Sequence, residues 1–293
     1  MSHSQDTGPE AYYVPHEGSL WPAVAILGMA TGTIGASMYM NEAAGGLQLL
    51  GVGFAIILVM FYGWLRAVIR ESMSGLYNAQ MDRSFRQGMA WFIFSEVMFF
   101  AAFFGALWYV RTIALPWLGG DGNNLATNIF VWGGWENVWP TNGPAGLGGD
   151  FKLVDPWHLP LINTLLLLSS GVTLEFAHHG LLHNKRKQLI GGLAATVLLG
   201  CLFLAFQVEE YIEAYQHLNL TLESGVYGST FFLLTGFHGM HVTLGTIMLA
   251  VILVRCIKGH FTAESHFGFE GVAWYWHFVD VVWLGLFIFV YII

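Results

Sequence analysis

The sequence predicts an all-α integral membrane protein with seven transmembrane helices. Three observations carry that expectation. First, of 293 residues, 55% are hydrophobic and 10% charged, whereas a soluble domain carries roughly 25% charged residues. Mean hydropathy is +0.57. Second, the chain holds several apolar runs of about 20 residues, the length a bilayer-spanning helix needs. Third, these runs are continuous and do not alternate. Only helices or a closed barrel can cross lipid, and continuity selects helices.

Taken in order, the expected spans are Trp21–Met40, Leu47–Leu65, Met89–Ile113, Leu159–Ala177, Leu189–Val208, Val226–Val254 and Gly268–Ile292. Residues 1–20 read as a polar cytoplasmic tail, without the basic-then-apolar order of a signal peptide. Residues 21–66 hold the first two helices and 67–293 the other five. A loop at 114–158, rich in Gly, Pro, Asn and Trp, reads as an ordered but irregular cap with room for a short helix. No internal repeat supports an inverted-repeat transporter.

Sidedness follows from lysine and arginine placement. One face carries Arg66, Arg70, Arg83, Arg86, Lys185, Arg186, Lys187, Arg255 and Lys258, and the other only Arg111 and Lys152. The basic face is therefore expected in the cytoplasm, with the N-terminus inside and the C-terminus outside. The opposite face is acidic, with Asp121, Glu136, Asp150, Asp155, Glu209, Glu210, Glu213 and Glu223. A formal charge of −8 does not suggest nucleic acid. Cys201 and Cys256 lie within or at the end of apolar segments and have no CxxC neighbour, which argues against a disulfide framework or a thiolate metal site.

Ionisable groups in hydrocarbon cost about 2.5–3.5 kcal/mol each on insertion scales, so those retained need a partner or a purpose. The candidates are Glu96, Glu175, His238, His241, His277 and Asp280. Glu96 faces Phe99, Phe100 and Phe103 at helical spacing. It reads either as a proton-exchanging acid or as a carboxyl hydrogen-bonded to a neighbouring helix for packing. By depth, His241 or His277 could donate to it, and Asp280 could orient the histidine. His179 with His183, and His238 with His241, resemble pieces of a histidine box, so a membrane metalloenzyme is one alternative. Their depths differ, however, and ligands of one metal must converge. Haem ligation is another possibility, and a stand-alone proton or ion carrier using Glu96, Glu175 and Asp280 is a third. No metal is expected on His178, His179, His183, His238, His241 or His277. Arg70 with Glu71, and Arg255 with Lys258 and His260, sit at headgroup level, where basic side chains attract phosphate. Arg83 and Arg86 read as topology-setting charge.

The C-terminal third reads GVYGSTFFLLTGFHGMHV from Gly225, HFT at His260, and HFGFEGVAWYWHFVDVVWL from His266. Upstream stand VIRES at Val68, GMAWFIFSEVMFF at Gly88, PLINTLLLLSSGVT at Pro160, AHHGLL at Ala177 and QVEEY at Gln207. In sequence and order these motifs resemble cytochrome c oxidase subunit III over about Trp21 to Ile293, apart from part of the loop between the third and fourth spans. Seven spans also separate the chain from the five-span third subunits typical of quinol oxidases.

The resemblance implies a non-redox subunit of a proton-pumping respiratory oxidase that reduces O2 to water. It implies two-helix and five-helix groups separated by a V-shaped, lipid-filled cleft. No cofactor is implied on this chain, with haem and copper in partner subunits. Subunit I is implied as the direct partner, and subunit II, with copper and the cytochrome c dock, belongs to the same complex. Structural phospholipids are implied at Trp64, Arg70, Glu71, Arg255, Lys258, Thr262 and His266. Glu96 falls on the family's buried carboxylate and heads a buried polar network with His238, His241, His277 and Asp280. The long loop suits a bacterial oxidase, hence a bacterial inner-membrane location. Departures from the family pattern are Leu65 after Trp64, the stretch Gly75-Leu76-Tyr77-Asn78, Ser265 before His266, and Phe176 before Ala177.

Overall fold

The computed structural model describes residues 18–293. Residues 1–17, most of the expected polar tail, lie outside the described residues. Nine α-helices follow in the described chain: α1 (Trp21–Met40), α2 (Gly46–Met73), α3 (Ala79–Tyr109), α4 (Leu115–Leu118), α5 (Leu125–Phe130), α6 (Leu159–Leu182), α7 (Arg186–His217), α8 (Gly225–Ile257) and α9 (Phe267–Leu286). A π-helical turn, Val110–Ala114, joins α3 to α4, and a second, Phe287–Ile292, continues α9. Seven helices are long and apolar enough to cross a membrane: α1, α2, α3 running on to Leu118, α6, α7, α8 and α9 with its π-helical end. No strand occurs among the described residues.

All seven expected spans are present, but their ends differ from the apolar runs. The expected connection over residues 66–87 is largely helix, because α2 runs on to Met73 and α3 already begins at Ala79. Polar residues with good helix propensity continue a helix past the hydrocarbon edge. Side-chain pairs at helical spacing support α3 there: Arg86 Nε donates to Asp82 Oδ2 at 2.7 Å, and Arg83 to Gln80 Oε1 at 2.6 Å.

The chain divides into two compact units, one ending at Gln87 and one from Gly88 to Ile293. In the first unit, α1 and α2 form an antiparallel pair joined by a short turn. Small residues make its seam. A Cβ on Gly53 would collide with the backbone of Gly32 and lie 2.9 Å from the Gly28 carbonyl oxygen. A Cβ on Gly35 would collide with the backbone of Leu49 and Leu50. Between helices in lipid, such close approach replaces the hydrophobic drive with van der Waals contact. Gly53→Leu is therefore expected to cost about 1–3 kcal/mol through overpacking. Gly51→Leu, where nothing lies within 4 Å, should cost nothing. Thermal midpoints of the two variants by circular dichroism check this; equal midpoints would count against the glycine seam.

In the second unit α6 packs on α7, α7 on α8, α8 on α9, and α9 closes back on α6. The α9 span is the most enclosed of the seven. Its Trp276 and Trp283 are wholly buried, with Phe203, Leu193, Val242 and Val279 around them. The Gly88–Tyr109 part of α3 lies against α8 and α9 through rings, such as Phe99 on Phe237 and Phe92 on Tyr275.

Residues 114–158 hold the short helices α4 and α5 and a 3-10 turn, Gly122–Asn124, and are otherwise irregular. Asparagine side chains order them. Asn128 Nδ2 donates to the Trp135 carbonyl at 3.0 Å and Asn142 Nδ2 to that of Gly149 at 3.0 Å. Asn219, in the α7–α8 turn, holds the carbonyl of Asp150 at 2.9 Å. Gly225 opens α8 at a φ of 60°, where a side chain would collide with the Asn142 backbone, so only glycine fits.

Candidate functional site

Polar side chains within the second unit gather in several places. The first joins α3 to α8. Glu96 Oε2 and His241 Nε2 stand 2.9 Å apart, across 145 residues of sequence. Phe99 and Phe100 crowd the imidazole, with centroids at 5.9 and 5.0 Å, and Tyr275 stacks on it at 6.3 Å. The His241 side chain is 7% exposed and that of Glu96 22%, so Glu96 is covered less by its own chain than expected.

This geometry constrains the proton count. His241 Nδ1 lies 2.6 Å from the Phe237 carbonyl oxygen, which can only accept. Nδ1 therefore carries a hydrogen. One further proton is then shared along the Nε2···Oε2 line, either as imidazolium with carboxylate or as neutral imidazole with carboxylic acid.

The second place joins α6 to α9. His277 Nε2 lies 3.0 Å from Glu175 Oε1, and its Nδ1 lies 3.4 Å from Asp280 Oδ2. Asp280 thus does orient a histidine, but it is His277 and not the partner of Glu96. Gly171 makes room, because a Cβ there would sit 2.7 Å from Asp280 Oδ2. Glu175 is exposed and Asp280 buried. His238, wholly buried, is separate from both: its Nε2 donates to the Val279 carbonyl at 3.1 Å, between the rings of Phe203 and Trp283.

The third place adds a buried acid that the sequence reading did not single out. Glu210, assigned above to the acidic face, is 0% exposed. The Tyr291 hydroxyl donates to its Oε1, and Gln207 Nε2 does so at 3.2 Å. Its depth was masked by Glu209 and Glu213 beside it; the one available signal was Gln207, three residues earlier on the same helix face.

At the basic end of this unit, Arg255 packs its guanidinium on the Phe261 ring at 4.2 Å. It has no acidic partner among the described residues, and its Nε is buried without a hydrogen bond. Lys258 and Thr262 are exposed beside it. Desolvation, with the charges of Arg255 and Lys258, pushes the His260 imidazole below its ordinary pKa. His266 is buried, with Nε2 3.4 Å from Glu270 Oε1. His178, His266 and Glu270 form one group of potential metal ligands among the described residues, with ligand atoms within 4.8 Å of one another. Sequence reasoning missed it because His178 comes from α6 and the other two from the start of α9. In the first unit, Trp64 and Arg70 are exposed, and Glu71 accepts from the Tyr77 hydroxyl at 2.9 Å.

The family profile for cytochrome c oxidase subunit III matches residues 11–122 and 135–293. The chain belongs to the cytochrome c oxidase subunit III family. It is 42% identical to cytochrome c oxidase subunit 3 of Arabidopsis thaliana over 274 residues, covering 93% of each chain. It is 43% identical to that of Marchantia polymorpha with the same coverage. It is 42% identical to that of Cyprinus carpio, over 93% of this chain and 94% of the carp protein. A subunit III chain is part of a cytochrome c oxidase, an oxidoreductase complex, and its seven apolar helices make it a multi-pass membrane protein. The internal stretch outside the profile match, residues 123–134, falls inside the long loop, where α5 lies.

Proposed function

We propose that this chain is the non-redox third subunit of a proton-pumping respiratory oxidase. In this reading it lies directly against subunit I, in a complex with subunit II, in a bacterial inner membrane. Its N-terminus is cytoplasmic and its C-terminus periplasmic. It binds structural phospholipid and sustains proton uptake and stability of the catalytic subunit during O2 reduction, while haem and copper stay in the partner subunits. Glu96 with His241, and Asp280 with His277, act as partly buried proton-holding pairs, with His238 as packing support.

The observation that carries the lipid role is Arg255. A half-buried guanidinium with no acidic partner among the described residues calls for an anion, and a phosphate at headgroup depth supplies one. Lys258 and Thr262 would share it. Trp64, Arg70 and Glu71 are proposed as further headgroup contacts on α2. His266, engaged with Glu270, would contribute from the adjoining loop.

Arg255→Ala oxidase should retain its haem and its initial rate, yet lose about one bound phospholipid per complex, because each basic residue near the surface contributes on the order of 1 kcal/mol. Activity should then fall faster during continuous turnover. Phosphorus analysis per haem, with a turnover time course, tests it. Unchanged phospholipid content would sink the lipid role.

A further inference from the structure

The opposite, acidic end of the second unit holds a groove that neither the family match nor the basic-end lipid reading assigns. It has a volume of about 580 Å³, within the range of single-ligand pockets, roughly 300–1,000 Å³. Phe104, Leu107 and Trp108 of α3 form one wall, Gly285 and Phe289 the other, and Trp139 of the long loop closes the top. No Asp or Glu lines it, although this face of the chain is otherwise acidic.

Its one charged lining side chain is that of Arg111. The guanidinium lies 5.1 Å from the Trp139 ring centroid, and its NH2 donates to the Ile293 main-chain oxygen at 3.1 Å. Those contacts aim the side chain and leave donors over, since a guanidinium has five N–H groups in a fixed fork suited to phosphate.

Both walls end in π-helical turns. Arg111 sits in Val110–Ala114, and Phe289 in Phe287–Ile292. Such turns are rare and recur at functional sites. Gly285 keeps the groove open, because even a Cβ there would press to 3.2 Å from the Phe104 ring. Tryptophan and arginine above an apolar trough, at the ends of two membrane spans, match the polarity profile of the bilayer interface.

We propose that this groove binds one anionic phospholipid from the leaflet at the acidic end. Its phosphate lies on Arg111 beside Trp139, and one acyl chain lies along the outer surface that Trp108 and Phe289 leave exposed, over the edge-to-face contact of Phe104 with Phe289. Apolar walls at this depth exclude a small soluble anion, and the permanent positive charge of Arg111 selects an anionic over a zwitterionic headgroup.

The test uses the assembled oxidase in nanodiscs with phosphatidylglycerol or phosphatidylcholine carrying a photoactivatable acyl chain. Phosphatidylglycerol should label peptides containing residues 104–112 and 285–293 about five-fold more than phosphatidylcholine does, the ratio expected from one basic residue at the lipid surface. Arg111→Gln should reduce this labelling to the phosphatidylcholine level. Gly285→Leu should abolish it with the arginine intact, by filling the trough. Haem content shows whether each variant assembles; should Arg111→Gln fail to assemble, Gly285→Leu decides. Equal labelling by the two lipids, unchanged labelling in the assembled variants, or cross-linking of this face to another oxidase subunit would overturn the proposal.

Discussion

Trp276→Ala is expected to lower the stability of the helices from Gly88 onward by about 3–5 kcal/mol, the usual range for removing a buried large aromatic. The side chain is 0% exposed. Its six-membered ring fits where α7 and α8 carry glycine: a Cβ on Gly200 would lie 2.9 Å from it, and one on Gly245 2.8 Å. The two glycines carry no side chain that could move into the space, so most of the vacated volume should persist as a cavity. A hydrogen bond is lost as well. The indole Nε1 donates to Ser170 Oγ at 2.8 Å, while Ser170 gives its own proton to the Leu167 carbonyl at 2.6 Å. Alanine would leave that oxygen without its donor in a dry interior, a further cost. Val281, on the same helix but 68% exposed, provides the contrast, since Val281→Ala should stay within about 0.5 kcal/mol. Thermal midpoints by circular dichroism would decide it. A Trp276→Ala midpoint within a degree of wild type would mean that the cavity collapses.

What the sequence reveals, and what it hides, divides along physical lines. Seven spans are legible because the cost of leaving a backbone polar group unpaired in lipid forces long apolar helices. Helix ends are not legible from hydropathy. The backbone of α2 stays helical through Arg70 and Met73, where the side chains already suit water. The Glu96–His241 pair was within reach by counting depth along α3 and α8. Choosing between His241 and His277 was not, because that depends on how α8 and α9 are rotated about their axes. His277 turns instead to Glu175 and Asp280. Glu210 shows the same limit from the other side. It stands among surface-like acids in sequence, yet Tyr291, 81 residues away, covers it. The seam of α1 and α2 was legible in principle, since Gly28 and Gly32 are four residues apart, a spacing that lets helix backbones approach.

Glu96→Gln is expected to remove a protonated-carboxyl infrared band completely while leaving haem content, initial oxidase rate and stability nearly intact. The argument rests on the two arrangements that the hydrogen-bond geometry allows. Burying two charges costs several kcal/mol per ion before their attraction offsets it, and the rings of Phe99, Phe100 and Tyr275 supply no polar contact to help. The arrangement we propose is the neutral pair, in which Glu96 as a carboxylic acid would donate to His241 Nε2 while His241 Nδ1–H donates to the Phe237 carbonyl. Glutamine suits that pair, because its amide N–H can donate to the same nitrogen in almost the same volume. An ionic pair would not be matched, since the amide carries no charge to hold an imidazolium. A double-mutant cycle of Glu96→Leu, which unlike glutamine removes the hydrogen bond, with His241→Leu measures the coupling directly. The neutral pair predicts an interaction energy of about 1 kcal/mol, that of an ordinary hydrogen bond. Breaking a buried ionic pair from one side would cost about 3–5 kcal/mol. A carboxyl band that survives in Glu96→Gln would belong to another residue, Glu210 being the first to examine with Glu210→Gln. Abolition of oxygen reduction on the first turnover would place Glu96 on the route of the consumed protons, in place of a buffering role beside it.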